Sequence, residues 1–208
     1  MESVMKNMDA PVWFASHANI RTDSYVMLAS LLGQPPSEEL LNILQNLQWD
    51  EAIPEKLDHA LGALRQACDD YPLAAIGEEF NRLFLGLGSG EIIPYASWYR
   101  GKKIQSLPLA TLRSDLMPLG IVRRDESHES EDHAGVLCEI MALISRQPNN
   151  IPTATQAGFF HRHIASWMMA FFKDLQSAKS AEFYRAVGLF GRCFLESEDE
   201  YLKQGANT

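Results

Sequence analysis

Cysteine is scarce, with only Cys68, Cys138 and Cys193 in 208 residues. The three are far apart, and each sits in a helical pattern among apolar neighbours. That spacing excludes a disulfide framework or a zinc site and makes each a small buried hydrophobe. Basic residues are also few: 18 Lys and Arg stand against 27 Asp and Glu, a net charge of −9. Phosphate contacts need clustered Lys and Arg, so no nucleic-acid partner is expected, while a basic partner remains open. No apolar run is long enough to span a membrane, and the first residues, "MESVMKNMDAPVWF", lack the basic-then-apolar order of a secretory signal. The expectation is a cytoplasmic protein without stable membrane insertion. Also missing are internal repeats, low-complexity segments, strand-period runs longer than a few residues, and any nucleophile motif. No enzyme activity and no cofactor are therefore expected.

Glycines cluster once, at Gly86, Gly88 and Gly90 in "FNRLFLGLGSGEIIPYASWY". A phosphate-binding glycine loop needs a strand before it and a helix after it, so that free backbone N–H groups meet the phosphates. Upstream, Ile76, Phe80, Leu83, Phe84 and Leu87 have helical spacing. Downstream, Pro94 interrupts a stretch with no helical period, and no Lys-Ser/Thr ends the motif. The glycines read as a helix end and a flexible crossing.

What is present is helix, almost throughout, and the chain is expected to be one all-α domain over 1–208, a multi-helix bundle with a long loop or hinge around 86–107. A first helix through Tyr25, Leu28, Ala29 and Leu32 stops at "GQPPS", where Ser37 can cap the next, striped by Leu40, Leu41, Leu44 and Leu47. A third carries Leu57, Ala60, Leu61, Leu64 and Cys68. After the loop, Leu109, Leu112 and Leu116 make a short helix ended by Pro118 and Gly120. Ser130 is the expected start of a helix striped by Val136, Leu137, Ile140, Met141 and Ile144. Thr153 and Gln156 form an expected capping box for a long helix through Phe160, Ile164, Trp167, Phe171 and Leu175. Ser180 opens the last helix, through Phe183, Tyr184, Val187, Phe190 and Phe194. Of two acidic blocks, "ESEDE" at 196–200 reads as solvated, and "DESHESED" at 125–132 adjoins the candidate site.

Few residues carry potential chemistry. His161 and His163 form an H-x-H pair, but positions i and i+2 of a helix point about 200° apart and do not easily share an ion. His133 and Glu139, six residues apart, do not share a face either. Trp167, with Phe160, Phe171 and Phe172, reads as core. Trp98 and Tyr99 follow a proline-bearing loop instead of a helical stripe, so surface recognition and loop packing are both open to them.

Three segments together resemble the TorD/DmsD family. "EEFNRLFLGLGSGEIIPYASWY" is similar to that family's helix ending in R-L-F-x-G and its proline-bearing loop closing with an aromatic. "EDHAGVLCEIMALI" is similar to its D-H-x-x-x-x-L-E-x-M helix, with Asp132, His133, Glu139 and Met141 in place. "FFHRHIASWMMAFFKDL" resembles its H-L-x-P-W helix through His163 and Trp167, with Ser166 where proline is usual. The loop also departs, having one proline and Tyr95 where many members have a double proline and Trp.

The resemblance implies an all-helical cytoplasmic chaperone of molybdoenzymes in the dimethyl-sulfoxide-reductase superfamily. Such proteins hold the apo-enzyme, in many cases bind its twin-arginine signal peptide, and keep it competent for molybdenum cofactor insertion before export. Peptide or client binding carries over to Tyr95, Trp98, Tyr99, Asp132 and His133. Physical chemistry extends this set, because paired arginines followed by an apolar stretch need carboxylates beside an apolar wall. Asp125, Glu126, Glu129, Glu131 and Asp132 are the expected acidic rim, and Phe84, Trp98 and Tyr99 the expected wall. The bland reading of Asp132 is a helix N-terminal charge partnered by His133 or a backbone N–H. Alternatives are a cofactor-loading chaperone whose client has no signal peptide, and a helical metal-dependent hydrolase using His133, His161 and His163. The client stays open among N- and S-oxide reductases and formate dehydrogenases. A homodimer made by exchange of helices through the long hinge is compatible with the loop.

Overall fold

The computed structural model describes residues 20–47, 53–86, 90–101, 108–122, 129–146 and 151–205. Among these residues there are helices and no strand, as the periodicity predicts. The helices are α1 (Ile20–Gly33), α2 (Glu38–Asn46), α3 (Glu55–Asp70), α4 (Leu73–Phe80), α5 (Ala96–Arg100), α6 (Pro108–Leu116), α7 (Ala134–Arg146), α8 (Thr153–Phe160), α9 (Met168–Ser177) and α10 (Phe183–Gly205). Wider π turns extend α4 over Asn81–Leu85 and α8 over His161–Ala165.

Two helix pairs organise the core. Helix α1 is buried almost all round and packs along α7. A side chain at Gly135 would stand 3.2 Å from Gly33 N and 3.3 Å from Ala29 O, so glycine permits that approach. Helix α10 packs on α9 and α3, with Gly191 against the ring of Phe172. Between the pairs lie Tyr25, Phe160, Phe171, Phe172, Phe183, Tyr184, Phe190 and Phe194, all buried. Burial of such rings is the main stabilising contribution, on the order of 2 kcal/mol or more each.

Several helix ends match the sequence signals. Ser37 accepts from Leu40 N at 3.1 Å, and Gly120 ends the turn after α6 in the left-handed region at φ 69°. Other ends differ, each for a visible reason. Helix α7 begins at Ala134 and not at Ser130, whose hydroxyl is donated to Asp132 at 2.6 Å. Thr153 and Gln156 make no capping box, since the Gln156 amide donates to Ile151 O and its oxygen accepts from Arg21. The expected long helix breaks at Trp167 (φ −151°), whose indole donates to His163 O at 2.8 Å. Helix α10 starts at Phe183, after Ser180 N has been taken by the Glu91 carboxylate. The last acidic block is not wholly solvated. Glu198 is buried, receives two guanidinium bonds from Arg21 at 2.7 Å each, and accepts from Tyr25.

Candidate functional site

The site begins where the chain returns from α4. Ile92 N donates to Leu83 O at 2.8 Å, folding the loop back onto the π turn. Gly90 makes this possible: a Cβ there would lie 2.3 Å from Leu83 O. Of the glycine run, Gly86 ends the turn as expected, while Gly88 lies outside the described residues. Within the expected long loop the chain forms α5, with Tyr95 as its N-cap.

Tyr95 is joined to His133 by an isolated antiparallel bridge. Ala134 N donates to Pro94 O at 2.8 Å and Ala96 N to Asp132 O at 3.0 Å. The two rings meet edge to face, centroids 5.0 Å apart. The Tyr95 hydroxyl donates to Glu129 at 2.6 Å; burial and that carboxylate push its pKa up to about 12, so it remains a neutral donor.

Asp132 is only 2% exposed. One carboxylate oxygen accepts from Ser97 N at 2.9 Å, in the first turn of α5, and the other from the Ser130 hydroxyl. Its charge thus caps a helix distant in sequence, not the one that follows it. His133 is the cap of α7: Nδ1 accepts from Gly135 N at 3.1 Å, and the backbone oxygen from Leu137 N at 2.9 Å. An accepting Nδ1 carries no proton, so the neutral ring holds its proton on Nε2. Burial pushes the His133 pKa down, against the opposing pull of Glu129 and Asp132.

The other expected residues divide sharply. Trp98 is 64% exposed on α5. Tyr99, one residue on, turns inward, donating to Asp174 at 3.0 Å and meeting the rings of Trp167 and Phe171. Glu131 is buried and forms a two-pronged pair with Arg113 at 2.8 and 3.0 Å. Phe84 is half-buried against Phe80 and Tyr184. Asp125 and Glu126 lie outside the described residues. The fold therefore brings Tyr95, Glu129, Asp132 and His133 into one bonded cluster, with Trp98 projecting beside it. Glu131 and Asp132 are turned into the fold and do not present open carboxylates.

The histidines are dispersed in their pairings: His161 sits 2.7 Å from Asp199, His163 2.7 Å from Asp115, and His133 caps α7. Among the described residues no group of three or more metal-ligating side chains converges.

Residues 50–173 match the nitrate reductase delta subunit family, more than half of the chain. The chain belongs to that family. It is 22% identical to chaperone protein TorD of Vibrio cholerae over 204 residues, covering 88% of this chain and 92% of that one. It is 23% identical to TorD of Histophilus somni over 141 residues, covering 66% and 71%. The fold is similar to a crystal structure from Archaeoglobus fulgidus assigned to redox enzyme maturation, with TM-score 0.56, 18% identity, and 87% and 96% of the two chains covered. This family membership sets the chain among proteins named as chaperones and not as enzymes.

Three supporting residues have no signal in sequence pattern. Glu79, read as one acid of "EEF", is buried and caps α10: its carboxylate accepts from Glu182 N at 2.8 Å, Phe183 N at 3.0 Å and Tyr184 N at 2.8 Å. Glu91 accepts from Lys179 N and Ser180 N, tying the loop to the turn before α10. Arg113 fixes Glu131. Each partner lies too far away in sequence for any local rule to pair them.

Proposed function

We propose that this chain is a cytoplasmic, system-specific chaperone that binds an apo-molybdoenzyme of the dimethyl-sulfoxide-reductase superfamily and its twin-arginine signal peptide, ahead of cofactor insertion and export. Family membership supports the chaperone class. The observation that carries the peptide reading is Trp98, 64% exposed on a five-residue helix whose first turn is pinned by buried Asp132. An indole held out on an ordered support loses little freedom on binding, which is the property of an anchoring contact.

In this reading Trp98 meets the apolar part of the peptide, and Tyr95, Tyr99 and Phe84 are the other aromatic residues assigned to the apolar wall. Glu129, exposed and bonded to Tyr95, is the carboxylate that this reading assigns to an arginine fork. Asp132, His133 and Glu131 hold the geometry. Calorimetric titration with synthetic signal peptides from molybdoenzymes of the same genome, at low and moderate salt, tests the reading. Saturable binding of one peptide that weakens with salt supports it. Binding of none removes signal-peptide recognition and leaves the mature apo-enzyme as the client to titrate next.

A further inference from the structure

A concavity lies away from the Tyr95–His133 junction, between the turn after α6 and the face of α8. It has a volume of about 490 Å³, within the range of small-molecule sites. Its walls are mainly apolar: Pro118 and Leu119 on one side, Ile151 and Pro152 on another, and the ring of Phe159. This apolar lining, with an aromatic residue in it, suits an apolar or aromatic ligand body.

Gly158 lies in the wall on α8. Glycine within a helix is unfavourable relative to alanine. A Cβ built at Gly158 meets nothing within 4 Å, so close packing does not require it. What the missing side chain leaves is open space in the pocket.

The polar end is Arg162, one helical turn further along the same face. Its side chain is 54% exposed, and Nη1 donates to Asp115 at 2.6 Å. The same Asp115 oxygen lies 2.7 Å from Nε2 of buried His163, so two groups share one acceptor. Burial pushes the Asp115 pKa up, and the bonds from His163 and Arg162 outweigh it and hold the carboxyl below its usual range. Arg100 is near enough to act on His163 as well. The charged groups of the lining are Arg162 and Asp115, and Arg100 adds positive charge beyond it, close to His163. Arg162 has five N–H groups, and the bond to Asp115 uses one.

We propose that this pocket binds a small anion with an apolar body, such as an aromatic carboxylate or sulfonate. The body lies against Phe159, Ile151 and the prolines, and the anionic group takes the remaining donors of Arg162. This site is independent of the client-binding reading and stands or falls separately.

The test uses the full chain and two fluorescent probes, 8-anilinonaphthalene-1-sulfonate and its uncharged relative N-phenyl-1-naphthylamine. The sulfonate should bind saturably with one site, about tenfold tighter than the neutral probe. Gly158→Leu fills the space from a position without a clash and should abolish binding, with Gly158→Ala intermediate. Arg162→Gln should weaken the sulfonate about tenfold and leave the neutral probe unchanged. Trp98→Ala should leave both unchanged. Circular dichroism melts confirm that each variant is folded. Absence of one-site binding, or full binding by folded Gly158→Leu, overturns the site; equal affinity for the two probes overturns its anion preference.

Discussion

Tyr95 and His133 face each other across a single antiparallel bridge, their rings 5.0 Å apart, and that pairing joins the loop segment of the family pattern to its D-H helix. Because each residue also caps a helix, the junction orders α5 and α7 together. A separation of roles follows for the acidic residues. Asp132 accepts two hydrogen bonds in a buried position, whereas Glu129 is exposed.

Asp132→Ala should therefore cost about 1–3 kcal/mol of stability, since Ser97 N loses its buried acceptor. Glu129→Gln should change stability by less than about 0.5 kcal/mol and reduce peptide affinity in a salt-dependent way. Urea melts read the first and titration the second. A stable Asp132→Ala variant with lost peptide binding would make Asp132 a direct contact.

His133 sets a pH dependence. Its ring holds a proton less readily in the folded protein than at its ordinary value of 6.5, and buried His163 shifts in the same direction. Between the lowered folded value and 6.5 the unfolded chain binds more protons, so stability is present above 6.5 and is lost as pH falls through that window. The slope contributed by each site stays below the one-proton limit of about 1.4 kcal/mol per pH unit. His133→Asn retains a capping side chain without a titrating group and should flatten the profile measured by urea melts between pH 7.5 and 5. An unchanged slope would show that His133 does not contribute.

Glu79 gathers three N–H groups at the start of α10, where the helix dipole favours negative charge. Glu79→Gln removes the charge and turns an amide donor towards those donors. A loss of about 2–3 kcal/mol is expected, with hydrogen exchange accelerated first at Phe183 and Tyr184. Protection unchanged at those amides would contradict the capping role.

The helical class, the Ser37 cap and the Gly120 stop were legible because each rests on neighbours within a turn of one another. The starts of α7 and α10 and the cap of α8 were not: Asp132 takes the Ser130 hydroxyl, Arg21 draws Gln156 from across the fold, and distant Glu79 claims the first amides of α10. The candidate site shows the same division. Motif residues Tyr95, Trp98, Asp132 and His133 were nameable in advance. That Asp132 would cap α5, and that Tyr99 would turn inward while Trp98 turned out, depends on Ser97, Asp174 and Trp167 meeting them in space.

The most direct test of the account is calorimetric titration of the wild type and Trp98→Ala with the signal peptide that binds best. Trp98 is exposed, so its removal should leave the melting temperature unchanged while weakening affinity by about 2 kcal/mol, roughly thirtyfold. Equal affinity in the two proteins would contradict the assignment of Trp98 as the anchor and move client recognition elsewhere on the surface.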